Sequence, residues 1–260
     1  MENLYPLFER NRILKKELMW ALRDYAFANI QLEYQEFPDG ILKGCEVNVR
    51  GQELVVSKGI VKYGGFVYLV TEEMSLPYGP KENLQVLKMK LEEDRRSEDV
   101  IAYRVTLFLD DGPVKKEGEL EVCRFKLQHG SRLREDYKDF LDMATEFDTV
   151  NLLEADFGSI TGKSFAPKVT GYFAREALKA EYCQAEDVNF AYLCLSQPGA
   201  VSRAVLWDYV GRRMGVEEEA YKAWGRCEVF EGMVSALHGM QTGSGRRAGR
   251  EGGRRRILVE

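Results

Sequence analysis

Residues 41–70 read ILKGCEVNVRGQELVVSKGIVKYGGFVYLV. Glycine reaches backbone angles that other residues avoid, so Gly44, Gly51, Gly59 and the pair Gly64–Gly65 mark turns. Between them Val47 and Val49, Leu54 and Val56, and Phe66, Tyr68 and Val70 alternate with neighbours of the other kind, the pattern of half-buried strands. The stretch describes a scaffold for packing and docking, and it carries no evident chemistry.

Outward from it, Pro38–Asp39–Gly40 opens the strand region as a turn. Leu87, Met89 and Leu91 alternate with Lys88 and Lys90, and Ile101 to Leu109 alternate through a longer strand. Asp110–Asp111–Gly112–Pro113 reads as a hairpin-like break. Leu120 and Val122 then follow one phase while Cys123, Phe125 and Leu127 follow the other, and a phase switch within a strand predicts a bulge. No helical pattern separates these strands, so parallel crossovers are not expected. Toward the start, Leu7, Leu14, Leu18, Leu22, Tyr25 and Phe27 recur at helical spacing from residue 6 to about 30, with Trp20 widening the apolar stripe. Such a helix either packs on its own sheet or docks a neighbouring subunit.

Beyond Gly130 the character changes. SRLREDYKDFLDMATEF (131–147) reads as a charged helical connector, and helical patterns follow near 167–183, 186–196, 200–214 and 217–239. The expected fold is α+β: an N-terminal amphipathic helix (1–35), an antiparallel β-sandwich or partly open barrel (36–130), the connector (131–147) and a C-terminal helical domain (148–240). A Gly/Arg-rich tail (241–260) has the composition of a disordered segment.

The 260 residues carry a formal charge of −5, unevenly spread. The last 20 sum to +4 through six arginines against Glu251 and Glu260, leaving −9 on the remaining 240. An acidic body repels nucleic acid, and only the tail invites it. No apolar run reaches the roughly 20 residues that span a bilayer. The opening MENLYPLFERNRILKKEL lacks an apolar signal core, which argues against secretion by that route. Five scattered cysteines, Cys45, Cys123, Cys183, Cys194 and Cys227, fit reduced and mostly buried thiols in a cytoplasm.

Catalytic signatures are poor. GSITGKS (158–164) ends as a phosphate-binding loop does, but three residues rather than four separate its glycines, and Phe157 stands where the first glycine belongs. A turn before a helix is the simpler reading. His129 and His238 are far apart in sequence and no metal spacing accompanies them. Asp110–Asp111 and Glu92–Glu93 sit at turns or in charge runs, where solvated surface is the better reading. Residues 186–214 outline a helix-turn-helix whose second helix carries Arg203, Arg212 and Arg213. Buried-type residues crowd that helix, and Asp208 and Glu217–Glu219 would oppose phosphates. With Arg246 and Arg247 of the tail, these arginines define a nucleic-acid alternative.

Several strings resemble a small protein family of bacterial gene clusters for phage-tail-like, contractile injection particles. They are PLFERNRILKKELMWALRDYA (6–26), DGILKGCEV (39–47), VSKGIVKYGGFVYLV (56–70), RLREDYKDFLDMATEFDTVNLLEADF (132–157) and FAYLCLSQPGAVSR (190–203). The resemblance runs from about residue 4 to 215. Members are often labelled helicases, yet this sequence lacks a proper phosphate loop and the ordered helicase motifs. The pattern G-x-x-V … L-x-V-x-x-G … G-x-x-Y also resembles the attachment domains of tail fibres and baseplate components. These resemblances imply a non-enzymatic structural role with no cofactor, within a particle assembled in the cytoplasm. The implied partners are other tail or baseplate proteins and repeated copies of the chain itself. On this reading the docking surface combines Leu14, Leu18, Trp20 and Phe27 of the first helix with Phe66 and Tyr68.

Overall fold

Short strands follow from the glycine spacing. The computed structural model describes Ile13 and residues 15–244. After helix α1 (Lys16–Glu33) come β1 (Gly40–Gly44), β2 (Val47–Arg50), β3 (Glu53–Val56), β4 (Gly59–Tyr63), β5 (Phe66–Val70) and β6 (Met74–Pro77). Gly44 turns the chain at φ +65°, and a Cβ there would lie 2.2 Å from the Lys58 carbonyl oxygen. Gly59, directly across, would drive a Cβ to 2.5 Å from the Cys45 sulfur. Here β1 and β4 approach so closely that only glycine fits.

Three longer strands follow, β7 (Lys81–Arg96), β8 (Ile101–Asp110) and β9 (Glu119–Leu127), then a short hairpin of β10 (Phe157–Ser159) and β11 (Gly162–Ser164). The sheets run β11-β10-β1-β4-β5, β2-β3-β6 and β8-β7-β9, and they do not close into a barrel. The α+β architecture and the partly open β-structure agree with the sequence reading. The expected bulge lies in β9: Leu87 faces Cys123 while Lys88 faces Glu121, leaving Val122 as the extra residue. That shift lets Leu120, Val122, Cys123, Phe125 and Leu127 all be buried.

One strand expectation is corrected. The break at 110–113 is not a hairpin, because β8 and β9 flank β7 on opposite sides. Lys88 holds the connection: its buried ammonium donates to Asp110 Oδ2 at 2.6 Å and to the Val114 carbonyl, and lies 3.5 Å from Glu119. The strands of 40–128 pair antiparallel with one another throughout, as expected, and the parallel join among the named strands lies beyond them, between β1 and β10 at Ile41 and Phe157. The crossover that parallel pairing requires is supplied by everything from β2 to β9.

The remaining helices are α2 (Pro167–Lys179), α3 (Ala185–Ser196), α4 (Arg203–Arg213), α5 (Glu218–Lys222) and α6 (Arg226–Thr242). The pattern at 217–239 is therefore two helices. Trp207 Nε1 donates to the Trp224 carbonyl at 2.9 Å, and extended Gly225 caps α6. The connector 131–147 is not the predicted helix; it holds one 3-10 turn, Leu141–Ala144. Asp142 explains this by gathering the Arg134 guanidinium, the Lys138 N–H and the Thr145 hydroxyl, local bonds that compete with a helix. Leu133, Phe140 and Met143 of this segment join a hydrophobic cluster that continues from Ile41 and Phe125 to Phe173, Leu206 and Met240. The tail arginines Arg246 and Arg247, and Leu14 of the first helix, lie outside the described residues.

Candidate functional site

Helix α1 is anchored at one end. Tyr34, Gln35 and Phe37 present carbonyls beyond its last turn, and the buried ammonium of Lys62 on β4 donates to all three at 2.8, 2.9 and 2.8 Å. A cation at a helix C-terminus is favourable, and three charge-assisted bonds fix the helix to the sheet. Gln31 adds a link once its amide is swapped, donating to the Gly65 carbonyl and accepting the Val67 N–H, both at 3.1 Å. It thereby satisfies the outer edge of β5.

The rest of α1 packs on almost nothing, and none of its residues is buried. Met19, Trp20, Leu22, Tyr25, Phe27 and Leu32 are all exposed, with Tyr25 at 66% and Leu32 at 65%. Leu18 is half-buried. Lys16 covers one face of Trp20, its ammonium 4.5 Å from the ring centre. Helical stability in proteins comes mostly from packing an apolar face, and most of the apolar face of α1 is left uncovered by the described residues.

Where α1 meets the sheets, four aromatic rings join. Phe66 stacks on Tyr103 at 4.1 Å, meets Tyr68 edge-on at 5.0 Å and lies 6.5 Å from Phe27. Tyr68 contacts Tyr103 edge-on at 5.7 Å. The structure places Phe27, Phe66 and Tyr68 in one aromatic cluster, in which Tyr68 is only 8% exposed and forms the floor. Tyr103, which the sequence reading does not single out, belongs to the same cluster. Its place in the β8 alternation, beside exposed Ile101, was the available signal.

The candidate chemistry resolves into structural bonds. GSITGKS forms the β10–β11 hairpin, with Gly158 opposite Lys163 and Ser159 opposite Gly162, so its amides do not wrap into a phosphate nest. Lys163 donates to Asp156 at 2.7 Å. Burial opposes ionisation of Asp156, but bonds from Lys115, Lys163 and the Glu121 N–H overcome it and hold its pKa below the usual carboxylate value. Asp110 pairs with Lys88 and Asp111 with Lys81, while Glu92 and Glu93 pair with Lys90 and Arg96. His129 and His238 are both exposed. Among the described residues no group of histidine, cysteine or acidic side chains could hold a metal ion. All five cysteines are free thiols; burial pushes Cys45 and Cys194 up to about 12. No described helix is long and apolar enough to cross a membrane.

The three helix-turn-helix arginines do not form one stripe. Arg213 is mostly buried and lies 3.2 Å from Asp187, whose other contacts include the Tyr209 hydroxyl. Arg212 donates to Asp208 at 2.8 Å. Arg203 lies over the Trp207 ring at 4.8 Å. Phe190 of α3 stacks on Tyr209 of α4 at 3.8 Å, so the second helix is packed rather than presented.

No protein-family model matches the chain, and no curated protein matches it. Among solved structures, it is similar to a chain of the type VI secretion system TssK-TssF-TssG baseplate subcomplex, at TM-score 0.44 and 12% identity over 92% of this chain and 99% of that one. A chain of the type VI secretion baseplate complex gives 0.39 and 12%, over 92% of this chain and 70% of the other. A TssK crystal structure gives 0.40 and 8%, over 93% and 70%. These superpositions are loose, and the chain's family is not fixed by them.

Proposed function

We propose that this chain is a non-enzymatic structural subunit of a phage-tail-like, contractile particle, docking at the baseplate or fibre attachment point. One observation carries the reading: α1 is tied down by Lys62 at its C-terminal end yet buries none of its residues, leaving an apolar helix face continuous with the Phe27–Phe66–Tyr103 cluster. A contiguous exposed apolar surface of this kind marks a protein-protein contact. The sequence strings that resemble contractile-injection families support the class of partner, namely other tail or baseplate proteins. Repeated copies follow from the closed symmetry of such assemblies.

Fractionation of intact particles from the native cell tests the reading. The chain is expected in the baseplate fraction, and its absence from every particle fraction contradicts the proposal. A shift assay on the full chain addresses the nucleic-acid alternative. Salt-resistant, sequence-selective DNA binding abolished by Arg203→Ala would favour that alternative instead.

A further inference from the structure

A second surface shares no residue with the aromatic face. Between β11, the start of α4 and the start of α6 lies a cleft of about 380 Å³. We propose that this cleft binds an acidic, extended segment of a partner protein through its carboxylates.

Its floor is Asp156, whose side chain is 2% exposed. Lys115 reaches both Asp156 oxygens, at 2.9 and 2.8 Å, and Lys163 reaches one at 2.7 Å. Two ammoniums therefore serve one carboxylate. Each ammonium has three donors, and these side chains remain 35% and 41% exposed, so donors are left for a ligand in the cleft. Arg203 lines the wall and makes no ion pair among the described residues; its guanidinium rests on Trp207. Arg226 supports the opposite wall, donating to the Ala155 carbonyl at 2.9 Å with Glu154 at 3.8 Å. Four cations thus face two carboxylates across a concave surface, where field lines concentrate and an anion is drawn in.

Shape narrows the ligand. Arg203 and Trp207 also line a neighbouring cavity of about 450 Å³ that includes Val205 and Tyr221. The two cavities share Arg203 and Trp207; the first is basic, while the second offers Val205 and Tyr221 beside Asp208 and Glu218, which suits a short peptide that sets its carboxylates in the first and apolar side chains in the second. A lone phosphate would leave the second cavity empty, and the hairpin amides offer it no nest.

The test is fluorescence anisotropy on the full chain with a labelled eight-residue peptide of alternating Glu and Leu, against its Gln/Leu counterpart. The acidic peptide is expected to bind and the Gln peptide not to, with affinity falling as salt rises. Arg203→Glu is expected to weaken binding roughly tenfold, while Arg50→Glu, on a surface pair with Glu73, leaves it unchanged. Arg203→Gln, a milder change, should weaken binding less than the reversal and keeps the test decisive should the reversal misfold. Equal binding of both peptides, indifference to both Arg203 substitutions, displacement by equimolar inorganic phosphate, or tighter Arg203-dependent binding of oligothymidylate would each overturn the proposal. None of these outcomes bears on α1.

Discussion

At the scale of single residues, the chain spends its charged side chains on fixing its own backbone. Lys62 ties three carbonyls, Lys88 holds the loop between β8 and β9, and Asp156 collects two lysines and an amide. The depressed pKa of Asp156 has a defined pH consequence. Its stabilising contribution is fully present above the unfolded-chain value of about 3.9 and is lost as pH falls through the lower folded value. Denaturant midpoints should therefore drop below about pH 4, and Asp156→Asn should lower stability at pH 7 by about 3 kcal/mol with a flatter acid limb. Thiol titration gives a second check. Exposed Cys227 and half-buried Cys183 should react first in the folded chain, and Cys45, Cys123 and Cys194 only on unfolding. None of these pairings was legible beforehand, because Asp156 and Lys115 are far apart in sequence and only the tertiary fold joins them. The shortened glycine spacing of GSITGKS did mark its departure from a phosphate loop, and the segment forms a hairpin in which Lys163 pairs with Asp156.

Among the elements, α1 and β9 show where sequence periodicity succeeds. The β9 phase switch named its bulge, and the apolar stripe named α1, though not whether its face would be covered. Periodicity reports a face, not its neighbour. It failed at 131–147, where Asp142 draws local bonds that no pattern of apolar residues encodes. The exposed state of α1 predicts an asymmetry between two sets of variants. Trp20→Glu with Phe27→Glu should change the stability of the isolated chain by no more than about 1 kcal/mol, since exposed sites rarely matter more. Phe125→Ala, at a fully buried position, should cost about 3–5 kcal/mol. Urea titration of both variants measures the contrast.

For the whole molecule, the decisive feature is that sheets and C-terminal helices share one hydrophobic cluster. The hairpin at 157–164 joins the first sheet through the parallel β1–β10 contact, although sequence reading assigns it to the helical part. A short hairpin within a helical stretch gives too few residues for alternation to register. If the core is shared, far-UV circular dichroism and tryptophan fluorescence should report one coincident unfolding transition. Two separated transitions would support independent domains at 36–130 and 148–240. On this body α1 stands as an anchored helix with most of its apolar face uncovered, and that face is the proposed contact with a particle. Amide hydrogen exchange of residues 16–33, compared between the isolated chain and the intact particle, tests that most directly. Rapid exchange in isolation and strong protection in the particle is the predicted result; equal, rapid exchange in both states would contradict it.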